Sequence, residues 1–491
     1  MRYAGISETG IDFKSFEQQC YDTGMAFARM LMTNALSDLD DKILAERDRR
    51  EYRAKDVRPL TIKTLMGEVT VKRRLYKHMA ENGRNEYVCL LDRAIGLDTI
   101  GKMSVGLIHR MADLITECSY RAAAEAVSFL SGQRVSHGGF WNAIQAVGER
   151  ICDTDKIRAK AAKNFLCKGK KIVKALQEEF DGVWINMQGK DRPKSGHKLE
   201  MKLASAYEGV RHTGKDKNGK ATHDLAHPVY TAGFEPAAEF FWKKEGRIGS
   251  VYDLDEIDTR LINGDGGGWI EGFGERSGCE CHFQLDPFHV KRELFRSGIA
   301  EEERGAITKL LDEKRADEAL GRLEALCKNE TDGDKKKRLV KTFEYLNGHK
   351  ENLVPIFKRG LDLPEPSDGV VYGGMGTMES TVCGVVALRM KKRRASFTKS
   401  GAANLAGLLC LKRSGKLDEA VAGLSDMSLP FAPEEAIARA LSAAKTPKND
   451  GKGFSYPKAG GLPFAGVATT NGRNAIKDFC SCRGLAELVL R

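Results

Sequence analysis

No apolar run in this 491-residue chain comes near the roughly 20 residues needed to span a bilayer. The longest, such as Leu405 to Leu411, stop far short, so no membrane role is expected. Met1 to Gly10 has neither a basic n-region nor an apolar core, which argues against a secretory leader. The twelve cysteines are scattered and are expected as reduced thiols in the cytoplasm. The pairs Cys279-x-Cys281 and Cys480-x-Cys482 lack the C-x₂₋₄-C spacing of zinc sites and read as free thiols. A dinucleotide loop is absent too: Trp269 stands where G-x-G-x-x-G needs its third glycine, and no G-K-[ST] follows. The last absence is of one charge sign. From Ser380 to Leu417 there is no Asp or Glu, while Arg389, Lys391, Lys392, Arg393, Arg394, Lys399, Lys412, Arg413 and Lys416 are all basic.

What is present is ordinary globular composition, 41% hydrophobic and 30% charged, in a chain long enough for about two to four domains. A net charge of +11 favours a polyanionic partner. Phe13, Phe16, Cys20, Phe27 and Leu31 recur at helical spacing and predict a long amphipathic helix with a solvated tail from Asp40 to Lys55. Leu60 to Tyr76 alternates apolar and polar residues about Met66-Gly67-Glu68, the pattern of a β-hairpin. One arm carries Lys72, Arg73 and Arg74, which read either as DNA-backbone contacts or as solvated charges. Between Tyr120 and Ile151 two helices are predicted, broken at Ser131-Gly132, with Ser136 capping the second. This fits a helix-turn-helix with Ser136, His137 and Asn142 near a major groove, and fits a plain helical hairpin equally.

A Lys-rich connector, Arg158 to Lys174, leads into strands at Asp181 to Met187, Leu199 to Tyr207 and Val229 to Phe234, then a helix at Pro236 to Lys244. Thr259, Leu261 and Ile262 predict a buried strand that stops at Asp265. There Gly264, Gly266, Gly267 and Gly268 remove Cβ bulk, so the carboxylate can approach a metal ion or a phosphate; a tight turn with a solvated Asp is the plainer reading. After His289 the texture is helical to about residue 360. A Pro/Gly-rich return then leads to a helix at Met378 to Arg394 with Glu379 in its first turn. At 100° per residue Arg389 and Arg393 lie within about 80° of Glu379, and with Lys392 they are expected to hold phosphates. A solvated basic helix end is the alternative.

Asp181 at a strand start, Asp265 where a strand stops and Glu379 at a helix start meet only if the fold brings them together. Three converging carboxylates supply hard oxygens for two divalent ions, the chemistry of phosphoryl transfer on nucleic acid. Several segments in order, DGVWINMQGKDR (Asp181 to Arg192), EMKLASAYEG (Glu200 to Gly209), NGDGGGWI (Asn263 to Ile270), FQLDPFH (Phe283 to His289), GMGTMES (Gly374 to Ser380), RMKKRRASF (Arg389 to Phe397) and SCRGLA (Ser481 to Ala486), resemble the Lre-two family of bacterial insertion-sequence transposases. The resemblance implies an α/β, ribonuclease-H-like catalytic domain of the DDE type with an all-helical insertion, akin to the Mutator-related transposases. It also implies that Asp181, Asp265 and Glu379 bind two Mg²⁺ (or Mn²⁺) ions, and that Asp286 and His289 form a D-x-x-H element, although His289 reads equally as a structural histidine.

The expected layout is a mostly helical N-terminal DNA-binding region, with helix and basic hairpin at 1–110 and helix-turn-helix and linker at 111–178. The catalytic core follows at 179–289, a helical insertion at 290–373, the rest of the core at 374–445, and a linker and C-terminal segment at 446–491. The expected function is metal-dependent cutting and joining of double-stranded DNA at terminal repeats by a homo-oligomer, in the bacterial cytoplasm at the nucleoid. A structure-selective nuclease and a non-catalytic DNA-binding derivative are the alternatives.

Overall fold

The computed structural model describes residues 12–80, 83–95, 102–373, 375–392 and 395–423. The expectations for Arg393, for the 446–491 segment and for Cys480 and Cys482 lie outside these residues. The chain divides into two compact units. One holds the described residues up to Ile108 with Glu125–Val135; the other holds His109–Ala124 and the described part of Ser136–Ala422. This cuts the chain differently from the six sequence segments.

In the first unit, α1 (Phe13–Glu46) is one 34-residue helix capped by Asp12, whose side chain accepts from the Ser15 N–H. Its apolar stripe behaves otherwise than expected. Phe13 is 78% and Phe16 41% exposed, and burial falls on Leu36, Leu39 and Asp40, inside or next to the part read as a solvated tail. There α1 meets an antiparallel sheet of β1 (Arg53–Thr64), β2 (Gly67–Met79) and β3 (Asn85–Val88). Alternate residues Leu60, Ile62, Val69 and Val71 join Leu36 and Leu39 in one core with Leu91 of α2 (Leu90–Ala94). The hairpin turns at Gly67, whose φ of 105° suits glycine. So this region is mixed rather than mostly helical: the polar, exposed stretch Arg53–Pro59 carries no apolar alternation yet extends the ladder.

The helical pair between Tyr120 and Ile151 exists as α4 (Tyr120–Ser131) and α5 (His137–Lys163), preceded by α3 (Val105–Glu117). Ser136 caps α5 by accepting from the Gly139 N–H. The 27-residue α5 continues well past Ile151 into the expected connector. It is built into the second unit: Gly148 leaves room for Asn404, and Asp155 forms a buried ion pair with Arg247.

The second unit is organised by a five-stranded mixed sheet ordered β10-β9-β4-β5-β8. β4 (Ala175–Asn186), β5 (Lys198–Tyr207) and β8 (Val229–Gly233) run antiparallel in turn, while β9 (Thr259–Gly264) and β10 (Glu280–Leu285) lie parallel to β4. A small hairpin, β6 (Val210–Lys215) and β7 (Ala221–Leu225), hangs off it. All six residues of β9 are buried, as a parallel strand covered on both faces requires. One face packs on α6 (Ala237–Ile248) and α7 (Gly268–Ser277) through Phe180, Phe240, Phe241, Ile262 and Phe273. A buried charge quartet, Glu178 with Lys244 and Glu245 with Arg260, ties β4 and β9 to α6.

The helical texture after His289 is real. α8 (Pro287–Arg296), α9 (Glu301–Asp312), α10 (Ala316–Asn329) and α11 (Gly333–Gly348) share one apolar cluster that includes Leu294, Ile307, Leu323, Leu339 and Leu346. The chain then returns through 3₁₀ turns to α12 (Met378–Val382), a π turn at Cys383–Ala387, α13 (Leu388–Met390), α14 (Lys399–Arg413) and α15 (Leu417–Ala422). Among the described residues no helix is long and apolar enough to cross a membrane.

Candidate active site

Register brings the first two acids together. Glu179 of β4 pairs with Asn263 of β9, and Asn263 with Gln284 of β10. Two residues further along each parallel strand come Asp181, Asp265 and Asp286. Beyond Gly264 the chain turns through Gly266, whose φ is 75° and whose missing Cβ would lie 2.5 Å from His349. The Asp265 carboxylate accepts from the Gly267 N–H at 2.9 Å, and the Tyr345 hydroxyl of α11 donates to the Asp265 carbonyl at 2.7 Å. The helical segment therefore buttresses the strand end.

Asp181, Asp265 and Glu379 line one cavity of about 570 Å³, shared with His289, Arg292, Arg296, Lys391 and Lys392. Half-exposed Trp184 and a fourth acid, Glu200, also border it. The Asp181 carboxyl accepts from the Gly182 N–H at 2.7 Å, yet burial, reinforced by the charges of Asp265 and Glu379, pushes it up to about 7. Glu379 is exposed on the first turn of α12. His289 is buried, with Nε2 3.9 Å from the Asp181 carboxylate. Burial and the neighbouring Arg292 guanidinium push its imidazole down to about 4.

Among the described residues no three His, Cys, Asp or Glu side chains are drawn together tightly enough to hold an ion as they stand. The donor set nonetheless suits a hard divalent cation. It offers carboxylate oxygens facing one opening, and one of them, Asp181, is pushed up first by burial and then by the charges of Asp265 and Glu379. A bound cation relieves that repulsion.

The other sequence nominees separate clearly. Asp286 does not line the cavity; it is buried and caps α8, accepting from the Phe288 N–H at 2.9 Å. Arg389 was expected beside Glu379 but is buried, with Nε donating to the Ile115 carbonyl at 2.8 Å. The π turn explains this: one extra residue in a turn delays the helix by about 100°, which carries Arg389 to the opposite face. Lys392 does reach the cavity, and Lys391 joins it.

On the hairpin, Arg73 is paired with Asp92 and Arg74 with Asp40 and Asp41, so neither presents a free charge; Lys72 is exposed. Ser136, His137 and Asn142 are exposed on the first turns of α5. Sequence reasoning missed Arg292 and Arg296, although their i+3 and i+7 spacing from His289 on a helix was a usable signal. The Cys281 thiol meets the Ser277 hydroxyl at 2.9 Å.

Fold and cavity define a mixed α/β protein whose sheet brings Asp181 and Asp265 to one cavity with Glu379 and basic side chains around it. The chain belongs to UPF0236, described as an uncharacterised protein family, whose model matches residues 6–423. It is 26% identical over 393 residues to the "UPF0236 protein in vanSb 3′region" of Streptococcus gallolyticus, which covers 78% of this chain and 79% of that protein. Among solved structures, the Drosophila P element transposase strand transfer complex matches 70% of this chain and 86% of its own at 9% identity. Its TM-score of 0.22 is too low to argue from.

Proposed function

We propose that this protein is a DDE-type DNA transposase with a ribonuclease-H-like core, of the insertion-sequence kind that its motifs resemble, acting on bacterial DNA in the cytoplasm. The observation that carries the reading is the convergence of Asp181, Asp265 and Glu379, remote in sequence, on a single cavity with cations on its rim. Acids alone would repel a phosphodiester; acids that would hold a divalent ion, with Arg292, Arg296, Lys391 and Lys392 around them, suit one.

Asp181, Asp265 and Glu379 would hold Mg²⁺ or Mn²⁺, two ions in the fullest form. Bound there, the metal would activate water or a DNA 3′-hydroxyl and stabilise the leaving oxygen. The chain's own groups do the rest. The Asp181 carboxyl must lose its proton to serve as a ligand, and a neutral His289 beside it adds no competing charge. Arg292, Arg296 and the two lysines would hold the backbone by charge-assisted hydrogen bonds. The Tyr345 brace and the Gly266 turn keep Asp265 from swinging away. No Ser or Tyr nucleophile is required.

The test is incubation with DNA from both flanks of its own gene, with and without Mg²⁺. Metal-dependent release of the segment and its joining to a second DNA supports the reading. DNA that is cut but never joined indicates a nuclease, and DNA that is bound but untouched indicates a binding protein.

A further inference from the structure

Two residues before Asp181, one buried carboxylate stands outside the lining of the acidic cavity. Glu179, wholly buried on β4 and not among the cavity's lining residues, receives five hydrogen bonds. The Tyr207 hydroxyl and the Thr377 hydroxyl donate to Oε1, each at 2.5 Å. The Gly376 N–H at 2.7 Å, the Thr377 N–H at 3.0 Å and the Asn263 amide at 2.9 Å donate to Oε2. Every one of these donors is neutral. A buried carboxylate with no cation at its oxygens is costly unless its lone pairs are filled, and five donors fill them.

The placement of the donors carries the inference. Glu179 lies two residues before Asp181. Asn263 lies two before Asp265. Thr377 lies two before Glu379. The layer continues outward, since the Gln284 side-chain amide donates to the Asn263 side-chain Oδ1 at 2.8 Å, accepts from the Ile356 N–H at 2.8 Å, and stands two residues before Asp286. We infer that Glu179 is the positioning residue of the site: its carboxylate ties the strand of Asp181, the strand of Asp265 and the loop that delivers Glu379 to one point. Sheet pairing alone holds β4 to β9, but nothing in the ladder holds the 376–377 loop. Two backbone N–H groups and a hydroxyl on one anion do.

The activity arm of the test rests on the transposase reading; the exchange arm does not. Glu179→Ala leaves five donors without an acceptor. Glu179→Gln keeps one oxygen for the two backbone N–H groups and turns its NH₂ to the Tyr207 and Thr377 hydroxyls, which can accept. In metal-free protein, hydrogen exchange at Gly376 and Thr377 is expected to quicken at least about tenfold in the Ala variant and to stay near the unaltered rate in the Gln variant. The Mn²⁺ concentration for half-maximal DNA cleavage is expected to rise about tenfold in the Ala variant and little in the Gln variant.

If the Ala chain does not fold, Thr377→Val removes one donor and should raise exchange at Gly376 about threefold. Unchanged exchange in Glu179→Ala, or in Thr377→Val where the Ala chain does not fold, overturns the inference. So does a Gln variant that keeps normal exchange yet is as inactive as Asp265→Asn, because Glu179 would then be a reacting group. A wild-type chain that never cuts DNA sinks the transposase reading, and the exchange result still decides this one.

Discussion

His289 holds its Nε2 3.9 Å from the Asp181 carboxylate while its Nδ1 accepts from the Arg292 guanidinium at 2.9 Å. A guanidinium only donates, so Nδ1 carries no proton, and the neutral ring presents Nε2–H towards Asp181. The charge state of the site is therefore set by opposing shifts, Asp181 up to about 7 and His289 down to about 4.

The two shifts have opposite signs in stability. The raised Asp181 contributes stability that is present at acid pH and lost as pH climbs through about 7. The lowered His289 contributes stability that is present above its ordinary range and lost as pH falls towards about 4. Asp181→Asn removes the first alone. Its stability relative to the unaltered, metal-free chain should climb by on the order of 3 kcal/mol from about pH 4 to about pH 8. Urea denaturation across that range reads it; a difference that does not vary with pH would refute the Asp181 shift.

Gly266→Ala should destabilise the protein by about 1–3 kcal/mol, because φ is positive there and a Cβ would strike the His349 ring. Gly268→Ala, where a Cβ meets nothing within 4 Å, should cost far less. Melting temperatures of the two variants decide it, and equal losses would deny the His349 contact any role.

The basic residues of the 389–392 stretch should separate by function. Replacing Lys391 and Lys392 by Ala should weaken DNA binding and flatten the salt dependence of log K by about 0.9 per lost phosphate contact. Arg389→Ala should leave that slope unchanged and instead lower stability by about 1–3 kcal/mol, since it strips a buried partner from the Ile115 carbonyl. A flattened slope for Arg389→Ala would place it on the DNA after all.

Joining two element ends to one target needs two active sites, while each chain carries one set of acids. A dimer on DNA with two-fold symmetry is the simplest assembly. The exposed Phe13 and Phe16 of α1 offer it an apolar surface. Light scattering with terminal-repeat DNA should give two chains per complex, and charged substitutions at both phenylalanines should reduce this to one. Joining by a single chain on a single end would rule the dimer out.

How much of this was legible in the sequence depends on the kind of signal. β9 could be read because its apolar residues lead into glycines flanking Asp265, and the β1–β2 hairpin because apolar and polar residues alternate on both sides of the Met66-Gly67 turn. Glu379 could be placed because it opens a helix. Arg389 was misplaced because nothing in GVVALR announces an extra residue in a turn, and a constant 100° step then points the wrong way. Arg73 and Arg74 looked free because their partners, Asp92 and Asp40, lie elsewhere in the chain. Glu179 was invisible for a related reason: a carboxylate inside a strand looks solvated until register sets Asn263 beside it and the 376–377 loop above it.

The central claim is that Asp181, Asp265 and Glu379 act on DNA as one metal site, and the most direct measurement compares cleavage with binding in Asp265→Asn on terminal-repeat DNA in Mg²⁺. Losing about 4 kcal/mol of transition-state stabilisation would cut the cleavage rate roughly a thousandfold. The expected result is that loss, with affinity for the DNA nearly unchanged because the cations proposed to hold the backbone are untouched. Cleavage by Asp265→Asn at close to the unaltered rate would contradict the assignment.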